Sequence, residues 1–540
     1  MSSLIHRFLL DRRLSRGRLL GGGGGSSSPS ASASPSATAT ATVDTEEDGE
    51  LYEYQPTIPY PTPPPRVAFL CRPGSRYVAC QWASWSSGSI AVPLCDVHRL
   101  PELRYVLEDC DPDVIIDGIA EEGVDGDDDD EESQELRGAA REAGMEDRVV
   151  RLEDALRLGL ARNGDGRELE PELGAGGYLV RSLDSPACIM YTSGTTGYPK
   201  GVVSTHRNVY HQVTDLVLAW GWTSDDAILH LLPLHHVHGV VNKLCCAVWV
   251  GASVEFMKFH PGRVWERLGT PHEAAGESAN DGGKEDRDGD GDDDRRGRRR
   301  PLTLFMAVPT VYAKMLEILP TLPPDTLSNA NATSFRRTVR LCVSGSAALP
   351  ASVFDRWYEL TGQVILERYG MTEFAMALSN PLFPEGGRIP GCVGTPLPSV
   401  EVRVVDEDTG EIIPAADADD DNGGDRQDRS GELLVRGPNV FSGGYWNRPE
   451  SDHDGSFDED GFFRTGDVAE YDTLMGSYRI LGRMSADIIK CGGYKLSAPP
   501  NREGDLGAPG SGGGLRSGRS GRRLWGEGGA GMQNEDRDGS

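Results

Sequence analysis

Residues 187–201 join an apolar strand to a loop of small and hydroxylated residues that carries a single lysine. The strand reads Ala187-Cys188-Ile189-Met190-Tyr191, and the loop Thr192-Ser193-Gly194-Thr195-Thr196-Gly197-Tyr198-Pro199-Lys200-Gly201. Glycines let backbone N–H groups converge on an anion. Hydroxyls add donors, and a lysine adds a point charge suited to phosphate. The string is not a Walker A loop, because Pro199 stands where the glycine before the lysine would be. A helix is expected to follow, with Val209, Val213, Leu216, Val217 and Trp220 at helical spacing.

The rest of the chain alternates strand and helix around this segment. Val67 to Leu70 and Asp113 to Ile116 read as strands, and Tyr77 to Ala91 as a helix with Gly88 near its end. Strands are expected at Ala227 to Leu232, Leu302 to Val308 and Arg340 to Val343. Helices are expected at Asn242 to Val250, after Pro309, and at Ala351 to Leu360. Such alternation implies mostly parallel sheets covered by helices. After Val400 the period becomes two, at Val400, Val402 and Val404, with short strands at Leu433 to Val435 and Tyr478 to Leu481. A small antiparallel barrel or sheet is therefore expected beside the α/β part.

Composition excludes several classes. The chain has 84 acidic against 54 basic residues and a formal net charge of −30, which argues against a nucleic-acid partner. Much of the acid sits in runs near residues 121–132, 271–300 and 415–430, which read as solvated insertions. The ten cysteines include no CxxC pair and fit neither a zinc set nor a disulfide framework. No apolar run reaches the length of about 18 residues that a membrane span needs. Residues 1–43 are basic, Ser-rich and poor in acids, the composition of a transit peptide, mitochondrial before plastid. A tail without an address, and a cytoplasmic protein, is the alternative. Residues 44–66 read as linker. Residues 499–540 are almost all Gly, Arg, Ser, Asp and Glu, and read as a disordered tail.

The loop resembles the signature of the adenylate-forming, AMP-binding superfamily, and further segments resemble it in the same order. They are Leu232 to Gly239, Ser344 to Pro350, Glu367-Arg368-Tyr369-Gly370-Met371-Thr372-Glu373, Gly431-Glu432-Leu433, Gly444-Tyr445-Trp446, Arg464 to Asp467, Leu481-Gly482-Arg483 and Gly492 to Lys495. The resemblance implies an α/β fold: a large N-terminal domain over residues 67–482, made of two helix-covered β-sheet subdomains plus a small antiparallel β-barrel. It implies ATP, Mg²⁺ and CoA as cofactors or co-substrates. Thr192, Ser193, Gly194, Thr195, Thr196, Gly197 and Lys200 would hold the β- and γ-phosphates. Gly345, Ser346, Ala347 and Tyr369 would flank adenine, and Thr372 would touch the α-phosphate. Glu373 would hold the metal. Asp467 would accept the ribose hydroxyls, and Arg483 would face ribose or phosphate. Lys200, Thr372 and Glu373 are thus the implied catalytic residues. Asp467 or Arg483 alone would read as a surface ion-pair member; only the surrounding motif assigns either one.

Longer shared strings resemble malonyl-CoA synthetases, among them Phe305 to Thr310 and Pro390 to Pro398. That resemblance implies adenylation of malonate or a related short dicarboxylate, then transfer to CoA. A buried second carboxylate needs a partner, and Arg388 is the candidate, with a solvated loop arginine as its alternative. His236 and His238 are expected to line the acyl pocket or, alternatively, to be satisfied core histidines. Adjacent Cys245 and Cys246 read as packing residues. Relatives continue into a small hinged C-terminal subdomain that carries a catalytic lysine. Residues 483–498 match only its hinge and start, and residues 499–540 hold no lysine. Weak adenylation is the resulting expectation. The alternatives are a ligase for a different acid and a catalytically weak ATP-binding remnant.

Overall fold

A computed structural model of the chain describes residues 64–119, 130–155, 182–192, 199–269, 300–324, 326, 332–414, 430–448, 455–484, 488–491 and 494–497. The transit-peptide expectation, nearly all of the linker, loop residues Ser193, Gly194, Thr195, Thr196 and Gly197, the centres of the acidic insertions and the tail lie outside them.

The first sheet contains β1 (Arg66–Leu70), β2 (Ile90–Pro93), β3 (Val114–Asp117), β4 (Val149–Arg151), β5 (Pro186–Thr192) and β6 (Lys200–Thr205), in the order β4-β3-β1-β2-β5-β6. Its first five strands run parallel, and β6 pairs antiparallel with β5. Ala68, Phe69, Ile90, Ala91, Val92, Ile115 and Ile189 are fully buried, as strands covered on both faces require. Two elements differ from the sequence expectation. The first helix spans Ser75–Ser86, not Tyr77 to Ala91. Ser84 and Ser87 hydroxyls donate back to Cys80 and Ser84 carbonyls, Gly88 takes φ 69°, and the chain leaves as β2. The lysine-bearing loop leads into β6, not straight into a helix, so it is the connection of a β-hairpin.

Helix His206–Trp220 then starts on a capping box. Asn208 N–H donates to Thr205 Oγ1 at 3.2 Å, and Thr205 N–H donates to Asn208 Oδ1 at 2.9 Å. Its Val213, Leu216 and Trp220 are buried, and Val209 and Val217 pack against the same cluster. Each such side chain stabilises the fold by about 1.5–3 kcal/mol relative to exposure.

The second sheet holds β7 (Ala227–His230), β8 (Ser253–Phe256), β9 (Leu304–Ala307), β10 (Leu341–Ser344) and β11 (Leu366–Tyr369) as parallel strands. β12 (Leu378–Ser379) and β13 (Thr395–Pro396) add antiparallel at one edge, giving β13-β12-β11-β10-β9-β7-β8. Pro309 opens helix Pro309–Glu317, where its missing N–H costs nothing.

The third sheet is β14 (Glu401–Val405), β15 (Ile412–Ile413), β16 (Ser430–Arg436), β17 (Phe463–Asp472) and β18 (Ser477–Arg483), all antiparallel. Its order is β15-β14-β16-β17-β18. Among the described residues β15 and β18 do not pair with each other, so the expected barrel is an open sheet. A hairpin of β19 (Ile488–Cys491) and β20 (Tyr494–Ser497) follows. One apolar cluster runs through all three sheets, from Val67 and Met190 through Ile228 and Leu366 to Leu433 and Phe463. Cys245 and Cys246 belong to it, and burial pushes the Cys245 thiol up to about 12. The end of the first acidic run is structured: Asp130 and Glu132 pair with Arg72, and Glu131 opens a helix. No helix among the described residues is long and apolar enough to cross a membrane.

Candidate active site

β5 and β6 bring the two ends of the glycine-rich loop together. Thr192 and Lys200 are register partners, with Thr192 Oγ1 donating to the Lys200 carbonyl at 3.5 Å. Lys200 Nζ lies 5.0 Å from the centre of the Tyr445 ring. The Tyr445 hydroxyl donates to Glu373 Oε1 at 3.0 Å. Glu373 follows β11 in a turn with Thr372, and it is 7% exposed. Burial raises its pKa, against the lowering effects of Tyr445, Arg483 and Lys200. Gly370 makes this turn possible, since a Cβ there would lie 1.7 Å from the Ala375 carbonyl oxygen.

A second chain of bonds enters from the third sheet. Asp467 on β17 faces Arg483 on β18, and Arg483 Nε meets Asp467 Oδ1 at 2.9 Å. The Tyr369 hydroxyl, at the end of β11, donates to Asp467 Oδ2 at 2.6 Å. Arg483 and Lys200 both act on the Glu373 carboxylate, so the two chains of contacts meet there, although their residues come from three sheets.

A third group of contacts lies at the carboxyl ends of β10 and β11. Ser346 takes φ 70° and lies 3.4 Å from His238 Nδ1 through its hydroxyl. Arg368 Nη2 donates to the same hydroxyl at 3.3 Å. Gly345 is a glycine because the Arg368 guanidinium lies against it: a Cβ would stand 2.5 Å from Cζ. Ala347 is exposed on the same turn. Arg368 is 3% exposed, Nε has no partner, and burial brings its pKa down to about 9. His238 is also buried, with Nε2 unpartnered. Burial, then Arg368 and Lys243, hold it neutral.

Two sequence expectations fare differently. His236 is exposed and packs on His235 with ring centres 4.3 Å apart, and it also acts electrostatically on His238. Arg388 is buried at 3% exposure, but its guanidinium is spent on main chain. Nε, Nη1 and Nη2 donate to the carbonyls of Pro381, Val364 and Leu382 at 3.1, 2.7 and 2.6 Å. It ties a loop to the second sheet and is not presented to an acid. Arg368, which lies inside the quoted motif, is the buried arginine left with an unpartnered Nε.

The fold and cleft define an AMP-binding enzyme, and the chain belongs to that family: its model matches residues 62–269 and 298–446. The chain is 43% identical over 449 residues to the mitochondrial malonate–CoA ligase ACSF3 of Xenopus laevis, covering 81% of this chain and 68% of that one. It resembles a malonyl-CoA ligase solved with methylmalonyl-CoA and AMP (TM-score 0.56, 32% identity, 80% of this chain and 75% of that chain). It also resembles ATP-bound MatB from Rhodopseudomonas palustris (TM-score 0.59, 29% identity, 80% and 71% coverage).

Proposed function

We propose that the chain is an AMP-forming acid–CoA ligase that activates malonate, or a closely related short dicarboxylate, and transfers it to CoA. The observation that carries the substrate class is Arg368, a buried guanidinium with no carboxylate partner among the described residues. One carboxylate of a dicarboxylic acid reacts, and the other answers that charge. A long apolar chain would leave it buried and uncompensated. Relatives named malonate–CoA ligases support the same reading.

In the first step a substrate carboxylate oxygen attacks the α-phosphorus of ATP, and pyrophosphate leaves. In the second the CoA thiolate attacks the acyl carbonyl, and AMP leaves. No protein nucleophile is needed, which suits cysteines that are buried. Lys200, with its loop, neutralises the departing phosphates. Asp467, held by Tyr369 and Arg483, receives the ribose hydroxyls. Thr372, next to Glu373, would touch the α-phosphate. Glu373 fits Mg²⁺, a hard cation that accepts one carboxylate beside substrate phosphates. When bound, the ion supplies further charge neutralisation there. The basic residues 1–43 would direct the protein to mitochondria, as the relative's name states for that protein.

The test is acid- and CoA-dependent AMP release with malonate, methylmalonate, acetate and octanoate. Malonate is expected to lead, and Arg368→Met to remove its advantage. An octanoate rate equal to the malonate rate in the unaltered protein would sink the proposal.

A further inference from the structure

Cysteine spacing along the chain offers no zinc set, yet the fold brings a mixed set of metal ligands together from two distant loops. Strand β2 ends at Pro93, and Leu94-Cys95-Asp96-Val97-His98 follows. This segment turns at once: the His98 N–H donates to the Cys95 carbonyl at 3.3 Å. Strand β7 ends at His230, and the segment from Leu231 to His236 follows. Both loops leave the carboxyl ends of parallel strands, one in each of the two large sheets, where open α/β sheets gather ligands. The Tyr77 hydroxyl, on helix Ser75–Ser86, donates to the Leu234 carbonyl at 2.6 Å and fixes the second loop against the first sheet's helix. Cys95 Sγ, an Asp96 carboxylate oxygen and a His235 ring nitrogen then lie within 4.8 Å of one another.

We propose that Cys95, Asp96 and His235 form a site for a divalent transition-metal ion of the Zn²⁺ class, sharing no ligand with the Mg²⁺ position at Glu373. The proposal does not depend on which acid the enzyme activates.

The donor set selects the ion. A thiolate is a soft ligand, and imidazole suits zinc and its neighbours, whereas Mg²⁺ wants oxygen alone. Zinc bonds of about 2.0–2.3 Å at tetrahedral angles put ligand atoms about 3.3–3.8 Å apart. Groups already this near reach that spacing by side-chain rotations of about 1 Å. Three protein ligands leave the fourth position to water or to His98, whose ring centre is 6.5 Å from that of His235. The nearby arginine does not occupy the carboxylate: Arg72 acts on Asp96 by its charge but pairs with Asp130 and Glu132. Cys95 is buried, Asp96 and His235 are half-buried, and Val97 beside them is exposed, so an ion has a path in from solvent. On binding, the proton of the Cys95 thiol passes to solvent and the sulfur bonds the metal. An ion held there would tie the end of β2 to the end of β7, next to His236 and its contact with His235.

The test uses Co²⁺, a zinc substitute whose bond to a thiolate gives a near-ultraviolet charge-transfer band. It is titrated into the full chain, without an affinity tag, reduced and free of nucleotide. One ion per chain is expected, with the band present, displaced by Zn²⁺ and unaffected by excess Mg²⁺. Cys95→Ser is expected to abolish the band. His235→Gln should weaken Co²⁺ by more than about tenfold, the cost of losing even an outer-shell partner. Zn²⁺ should raise the thermal unfolding midpoint of the unaltered chain and of neither variant, since only a bound ion stabilises the folded state. No band in the unaltered chain, or unaltered Co²⁺ affinity in either variant, would mean that the three groups are packing neighbours only, and the proposal falls. If Cys95→Ser does not fold, Asp96→Asn takes its place, with the same loss of affinity expected and the same result overturning the proposal.

Discussion

Replacing Arg388 by alanine separates a structural arginine from a substrate-binding one. The guanidinium makes three hydrogen bonds, to the carbonyls of Val364 at the foot of β11 and of Pro381 and Leu382 in the loop beyond β12. Hydrogen bonds from a charged donor contribute about 1.5–3 kcal/mol each, and a carbonyl left buried and unpaired costs about 1–3 kcal/mol. The three bonds share one group, so their effects do not add. A loss of about 3–5 kcal/mol is expected, of the size seen when a buried network is broken. Against a usual total of about 5–15 kcal/mol, that is a large fraction. Urea unfolding of Arg388→Ala should show a clearly lower midpoint. Malonate affinity at low temperature, measured by calorimetry on the fraction still folded, should change little. An unaltered unfolding midpoint with malonate binding lost would refute this reasoning and return Arg388 to the acid pocket.

Other outcomes follow from the same geometry. Tyr369→Phe removes the 2.6 Å bond to Asp467, and ATP affinity is expected to weaken about two- to tenfold, read by equilibrium binding. Arg368→Met should raise the KM for malonate more than tenfold while ATP affinity, measured separately, stays within about twofold. Glu367, 5% exposed and accepting from Gly391 N–H at 2.8 Å, has its pKa pushed up to about 7 by burial. The folded state therefore holds this proton more tightly than the unfolded chain, and stability should fall as pH rises from about 4.5 to about 7. Glu367→Gln should remove that part of the slope and stabilise the protein at pH 8 by about 3 kcal/mol. A parallel pH dependence for wild type and variant in urea unfolding would contradict it.

Much of the fold was legible locally. Apolar runs such as Val114–Asp117 and Leu341–Ser344 are strands because both faces of a parallel sheet are buried. The alternation at Val400, Val402 and Val404 marks a sheet with two unlike faces. Distant partners set the rest. Lys200–Thr205 is short and gains its identity as a strand from pairing with β5. The first helix ends at Ser86 because its serines and Gly88 compete with helix continuation once β2 has a place in the sheet.

The expected chemistry is legible in the sequence: a phosphate-type loop, Glu373 and Asp467 in their motifs, and their order along the chain. Residue type and short-range spacing encode these, since each motif acts through its own few atoms. Packing decides which buried charges go without an acid. Arg368 and Arg388 are alike on paper. What distinguishes them is whether buried acceptors from remote segments surround them. Arg388 finds three carbonyls there, whereas Arg368 finds no acid among the described residues. Burial and hydrogen-bond satisfaction belong to the packed molecule and to no local stretch of chain.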